Sequence, residues 1–192
     1  MKLTFAPKGL LQIDDARIIY RNFRGEAGKF NREGDRSFSV IIPEQRLTIQ
    51  EMENIEALYN EARIEKTASG PVLLIDGTEV LTYADALQAI GWNVKINPPR
   101  EEGDDPFIHL PIKVKFNDRG PLVYMKSGNA KVMLDEGSVH RLDHIDILSV
   151  SMDVRPYHYD VSGSQGISAY LQAIEVIQQV DRFAERYPDD IE

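Results

Sequence analysis

The stretch from Leu148 to Ile177 repeats every two residues, and a two-residue period rules out a helix there. Leu148, Val150, Met152 and Val154 share one face, while Ser149, Ser151, Asp153 and Arg155 share the other. If Pro156 leaves the register intact, Tyr157 and Tyr159 join Arg155 on that second face. Ser162-Gly163-Ser164-Gln165-Gly166 reads as a hairpin loop, and Ile167 to Ile177 as the last strand. A chain closing on so long a hairpin is committed to a mainly β architecture.

A second alternation lies near the other end. Leu10 to Phe23 reads as one strand, with Ala16, Ile18 and Tyr20 on one face and Arg17, Ile19, Arg21 and Phe23 on the other. Gly25, Gly28 and Gly34 punctuate a long loop, and Ser37 to Ile42 is a β-branched and aromatic strand stopped by Pro43. Arg17 to Arg36 holds six cations against three anions, in a chain whose net charge is −9. Tyr20, Phe23 and Phe30 are interleaved with those cations. A cation grips a phosphate and a ring stacks on a base, and a single strand of nucleic acid needs both. Arg21, Phe23, Arg24, Lys29, Phe30, Arg32 and Arg36 are therefore candidate contacts. The same residues also suit a solvated hairpin anchored by Phe23 or Phe30.

Between these ends the pattern changes. Thr48 with Glu51 marks a helix start, and Ile49, Met52, Ile55, Leu58 and Tyr59 continue at helical spacing, predicting a helix to about Lys66. Ser69-Gly70-Pro71 ends it. Val72 to Ile75 is a short strand, Asp76-Gly77 a hairpin turn into Glu79-Val80-Leu81, and Tyr83 to Ile90 a second helix stopped at Gly91. Residues 44–90 thus read as a helical insertion on a β scaffold, too short for a core of its own.

The β pattern resumes at Trp92 to Ile96, before Pro98-Pro99 and a charged loop from Arg100 to Pro106. Ile108, Leu110, Ile112, Val114 and Phe116 then share a face, opposite His109, Lys113 and Lys115. Pro111 within that run favours an edge strand or a bulge. Asn117 to Gly120 is a turn, Leu122 to Lys126 a returning strand, and Ser138 to His144 a short helix. Trp92, Tyr170, Leu171, Ile174 and Val176 are assigned to the core.

Composition sets the outer bounds. The 192 residues suffice for one domain with a sizeable core and are too few for two comfortable ones. There is no cysteine, no apolar run long enough to span a bilayer, and no signal-peptide core in MKLTFAPKG, which points to the cytoplasm. Charge is unevenly spread: residues 1–42 carry +3, residues 43–86 carry −6, and Asp181 to Glu192 is an acidic tail. An acidic chain cannot coat nucleic acid by bulk attraction, but a local basic groove survives within it.

Long strands, helices confined to one insertion, and hairpins at both ends predict an α+β, mainly β chain: an OB-fold-like antiparallel barrel over residues 1–180, followed by the tail 181–192. Its outward strands add Lys95, Lys113, Lys115, Tyr124 and Lys126 to the candidate contacts, and the long hairpin adds Arg155, Tyr157 and Tyr159. Several separate segments offer the same chemistry.

FNREGDRSFSVIIP (Phe30 to Pro43), GWNVK (Gly91 to Lys95) and DVRPYHYDVSGSQGISAYLQAIEV (Asp153 to Val176) resemble a family of bacteriophage single-stranded DNA-binding proteins with an OB fold. Residues 44–86 depart from that resemblance in length and acidity. The resemblance implies a sequence-tolerant, non-catalytic DNA binder acting in phage replication or recombination. It would sit in the host cytoplasm, carry no cofactor, and use the acidic tail to recruit replication or recombination proteins; a homo-oligomer is compatible with it.

Other chemistries have weaker support. His140 and His144 lie four residues apart beside Asp143 and Asp146, a spacing that suits a metal, yet no third ligand is evident. Asp14-Asp15 and Asp104-Asp105 would point apart on a strand, and no Gly-rich phosphate cradle is present. The alternatives to DNA binding are a protein-interaction module on the same barrel and a metal-dependent nuclease accessory using the histidines.

Overall fold

The computed structural model describes residues 1–98, 102–103 and 106–180. Strand β1 (Lys2–Phe5), which alternation had not marked, pairs antiparallel with β2 (Leu11–Ala16). The predicted strand over Leu10 to Phe23 is two strands, because the chain bends at Asp15 (φ 51°) and β3 (Ile18–Asn22) turns away to pair with β4 (Arg36–Ile42). The next element is helix α1 (Ile49–Leu58), whose Thr48 hydroxyl accepts from the Glu51 amide at 3.2 Å.

That helix stops eight residues short of Lys66. Ala62–Thr67 is strand β5, paired rung for rung with β6 (Gly70–Ile75), which turns at Asp76-Gly77 into β7 (Thr78–Val80). Helical propensity at Arg63 to Lys66 loses to a partner strand, since pairing satisfies the same backbone groups and lets Ala62 bury. The insertion is therefore a three-stranded meander flanked by α1 and α2 (Tyr83–Ile90), the latter opened by a Thr82–Asp85 capping box and closed by Gly91.

Strands β8 (Lys95–Asn97), β9 (Phe107–Val114), β10 (Leu122–Ser127), β11 (Ala130–Leu134), β12 (Ile147–Val161) and β13 (Ser164–Gln178) complete the chain. Val139–Asp143 is a short 3-10 helix. The main sheet runs β1-β2-β12-β13-β9-β4-β3, with β10 beside β13, β11 beside β10, and β8 beside β9. β2 and β3 are separated only by Arg17, yet β3 stands at one end of this path and β2 next to the other.

Two details of register matter for the surface. β9 is an interior strand, contrary to the edge position that Pro111 suggested. On one side it pairs with β4 along its length, and on the other its partner changes from β8 at Phe107–His109 to β13 at Ile112–Lys113. Pro111 falls in the gap between those partners, where no ladder donor is needed. In the long hairpin, Ser162 (φ 52°) and Gly163 (φ 81°) form a two-residue turn, shorter than the five-residue loop expected. Asp153 pairs with Ala173 and Val154 with Leu171, so Gln172 is an extra residue that bulges out.

The bulge shifts the inward positions from Ile167, Ala169 and Leu171 to Ile174 and Val176, all buried. They join Leu11, Ile13, Phe38, Val40, Leu110, Ile112 and Val154 in one hydrophobic cluster that continues into Ile55, Leu73 and Leu87 of the insertion. Trp92 is buried in the same core.

Candidate nucleic-acid interface

Pro156 does not break the register. Arg155, Tyr157 and Tyr159 pair with Tyr170, Ser168 and Gly166, and all face away from the core formed by Val154, Leu171 and Ala169. On the neighbouring strand Lys113 pairs with Tyr170. Tyr170 is the centre of this surface: the Arg155 guanidinium lies 5.1 Å from its ring centroid, the Lys113 ammonium 5.6 Å, and the Tyr157 ring 5.8 Å edge-on. Cations over an aromatic face are held in place while their charge stays available to a phosphate. Tyr157 keeps 55% of its surface exposed.

Tyr159 is fixed more firmly, because its hydroxyl donates to Asn93 Oδ1 at 3.0 Å. Gly166 makes that possible. A Cβ at Gly166 would stand 2.5 Å from the Tyr159 hydroxyl and 2.6 Å from Asn93 Oδ1, so any side chain would dislodge the pair.

The outward face of β9 continues from Lys113 through Pro111 to His109. His109 lies edge-on to Tyr20 (5.5 Å) and tilted against Phe107 (5.8 Å), which leaves it only 5% exposed. Its Nε2 meets Asn97 Oδ1 at 3.2 Å, and Asn97 Nδ2 donates to the Tyr20 hydroxyl at 2.6 Å. Burial, then the charge of Lys95, lowers the His109 pKa below its ordinary value.

Residues 23–35 join β3 to β4, and Ser37 at the base of β4 pairs with Lys113, so this loop rises beside the same surface. It is folded on itself. Asn22 Oδ1 accepts from the amides of Gly25 (3.0 Å) and Glu26 (2.9 Å), and Gly34 donates to the Gly25 carbonyl at 2.8 Å. Phe30 is 91% exposed, with the Lys29 ammonium 5.3 Å from its ring. Arg24 and Arg32 are exposed, Arg24 in an ion pair with Glu26 at 3.1 Å.

Three residues expected on this surface are spent elsewhere. Phe23 is fully buried and stacks on Phe38 with centroids 5.1 Å apart. Arg21 donates from one nitrogen to the carbonyls of Leu142 and Ile145, both at 2.8 Å, tying β3 to the 3-10 helix. Arg36 pairs with Glu136 at 3.1 Å and packs over Phe116. Each satisfies the fold before it can meet a ligand.

The remaining expected residues divide in two. Lys115 and Arg155, joined by Arg119, line a groove of about 630 Å³ where β9 and β10 part along β13. Tyr124 and Lys126 lie beyond that fork on β10, where Lys131 covers the Tyr124 ring at 4.6 Å and pairs with Glu175 at 2.7 Å. Lys95 pairs with His109.

Five residues beside this surface are absent from the expected contacts: Tyr20, noted in the sequence only as one of the interleaved rings, Phe107, His109, Arg119, and Tyr170, which was assigned to the core. The signal for Tyr170 was present, since Ile167, Ala169 and Leu171 have the opposite parity to Ile174 and Val176. A strand that changes parity must bulge, and Tyr170 then points outward.

Near the histidines, the Asp143 carboxylate accepts from the backbone amides of Phe23 and Arg24, both at 2.8 Å. Among the described residues no three His, Cys, Asp or Glu side chains are grouped to hold a metal, and no helix is long and apolar enough to cross a membrane. The acidic tail 181–192 and most of the charged loop after Pro98 lie outside the described residues.

Solved structures that resemble this chain include three of one phage protein. The single-stranded DNA-binding protein from bacteriophage Enc34, as a C-terminal truncation, is 14% identical over 94% of this chain and 97% of its own, with a TM-score of 0.47. The Enc34 protein in complex with ssDNA is 13% identical over 95% and 98%, with a TM-score of 0.47. A further Enc34 structure is 15% identical over 100% and 97%, with a TM-score of 0.45. No curated protein matches in sequence. The family described as "Putative phage ssDNA-binding domain" matches residues 3–66 and 78–192. That match takes in most of the stretch 44–86 that had looked like a departure, and leaves out only 67–77 within the β5–β7 meander. With nearly the whole sequence matched, this chain belongs to the phage ssDNA-binding domain family.

Proposed function

We propose that this chain binds single-stranded DNA along the outer face of β12, β13 and β9, without strong preference for sequence and without catalysis. The observation that carries this reading is Tyr170 flanked by Arg155, Lys113 and Tyr157, a set of rings and cations in register across three strands. Rings stack on any base and cations meet every phosphate, so the chemistry tolerates sequence. Loop 23–35, with Phe30 and Lys29 at its tip, supplies one wall of the groove in this reading, and Lys95, Lys115 and Arg119 extend its charge.

We read residues 1–180 as one OB-like domain. Support comes from the strand order β3-β4-β9-β13-β12-β2, in which the two halves of one bent segment flank the other four strands. OB folds bind oligonucleotides on the face of their second and third strands and between two loops. Here those strands are β4 and β9, and the loops are 23–35 and the β12–β13 turn. Service in phage replication or recombination, and recruitment of such proteins by the acidic tail, rest on the family resemblance and on charge.

Titration of a fluorescent oligo-dT, with a duplex of the same length as control, tests the reading. Saturable binding to the single strand with much weaker duplex binding supports it. Equal affinity for both, or none for either, overturns it.

A further inference from the structure

Tyr20 stands apart from the other rings of this surface because its hydroxyl, not only its face, is positioned. It sits in a strand with φ 54°, in the left-handed region that a bulky aromatic residue rarely adopts. The β3–β4 register slips between Ile19 and Asn22, so the backbone is distorted around Tyr20. Such strain persists only where the surroundings enforce it, and it collects at binding sites. The result is a ring half exposed to solvent at 49%, set edge-on against His109.

Beneath the ring runs a short chain of polar groups: His109 Nε2, Asn97 and the Tyr20 hydroxyl. The direction of its hydrogen bonds follows from one unpartnered atom. His109 Nδ1 is buried with no hydrogen-bond partner among the described residues. A buried N–H left unpaired is costlier and rarer than a bare acceptor, so the imidazole proton belongs on Nε2. Nε2–H then donates to Asn97 Oδ1, which turns the Asn97 amide nitrogen toward Tyr20. That nitrogen donates to the Tyr20 oxygen, and among the described residues no acceptor takes the hydroxyl's own hydrogen. Reversing the chain would require a buried, unpaired N–H at Nδ1.

We infer that Tyr20 is a hydrogen-bond donor to an acceptor oxygen on the bound strand, oriented by Asn97 and His109. This rests on the reading of the surface as a single-stranded DNA site. Two oxygens of the strand share the required chemistry, a phosphate oxygen and a base carbonyl. Asn97 and His109 are positioning residues here, and the hydroxyl makes the contact. The arrangement differs from the stacking at Tyr157 and Tyr170, because it would survive on a strand whose bases cannot stack if the acceptor is phosphate.

Tyr20→Phe removes the hydroxyl and keeps the ring, and Asn97→Ala removes the group that orients it. Both are compared with wild type on oligo-dT and on an abasic strand of the same length, with thermal melting to show that each variant is folded. Each variant is expected to lose about 3- to 10-fold in affinity for oligo-dT, the range of one hydrogen bond. The same ratio on the abasic strand identifies phosphate as the acceptor, and a loss confined to oligo-dT identifies a base carbonyl. Wild-type affinity for oligo-dT in either folded variant overturns the inference while leaving the DNA-binding reading intact. Failure of the wild type itself to bind oligo-dT sinks both.

Discussion

Tyr157 lies edge-on to Tyr170 across the β12–β13 ladder, ring centroids 5.8 Å apart, on the side of the sheet that faces away from the core. Neither ring fills the interior: Tyr157 is largely exposed, and Tyr170 carries the Arg155 and Lys113 cations over its ring. Tyr157→Ala and Tyr170→Ala should each weaken oligo-dT binding by about 1–3 kcal/mol. Melting temperatures should stay near that of the wild type. A variant that unfolds, or one that binds as tightly as before, would show that the pair serves packing alone.

Phe23 and Phe30 belong to one loop and should behave oppositely. Truncating a buried, stacked ring leaves a cavity, so Phe23→Ala should cost about 3–5 kcal/mol of folding stability. Phe30→Ala, at a ring almost wholly in solvent, should leave stability unchanged and weaken binding by about 1 kcal/mol or more. Chemical denaturation and oligo-dT titration of both variants separate these outcomes.

Binding should fall steeply with salt. If four or five of Lys29, Arg32, Lys95, Lys113 and Arg155 meet phosphates, the log–log slope is about −3 for a single strand, at roughly −0.7 per phosphate. Affinity measured across a salt series checks this, and a flat line would remove the electrostatic part of the groove. Arg21→Ala and Arg36→Ala should leave that slope unchanged while lowering stability, because their guanidinium groups are held by protein oxygens.

Acid should destabilise the fold through His109. Burial, and secondarily Lys95, lowers its folded pKa below 6.5, the ordinary value that the unfolded chain retains. Below about pH 6.5 the unfolded chain therefore binds a proton that the folded chain refuses. Stability is full above that value and declines as the pH drops toward the folded pKa. Urea midpoints for wild type and His109→Gln between about pH 7.5 and pH 5.5 should show a shallower decline in the variant.

The sequence by itself determined what local chemistry can decide. Two-residue periodicity marked β12 and β13, the Thr48 cap marked the start of α1, Gly91 marked the end of α2, and Asp76-Gly77 marked a hairpin, each through interactions within a few residues. It also supplied the mixture of rings and cations from which this surface is built. Only the tertiary structure decided which of those residues reach solvent. Arg21 and Phe23 meet Leu142 and Asp143 at separations of 121 and 120 residues, and no local pattern foretells such a partner. Ala62–Thr67 became a strand because β6 was there to pair with it. Tyr170 turned outward because a bulge at Gln172 reversed the parity of its strand. Periodicity reports which side chains share a face; it takes the folded sheet to settle which face is covered.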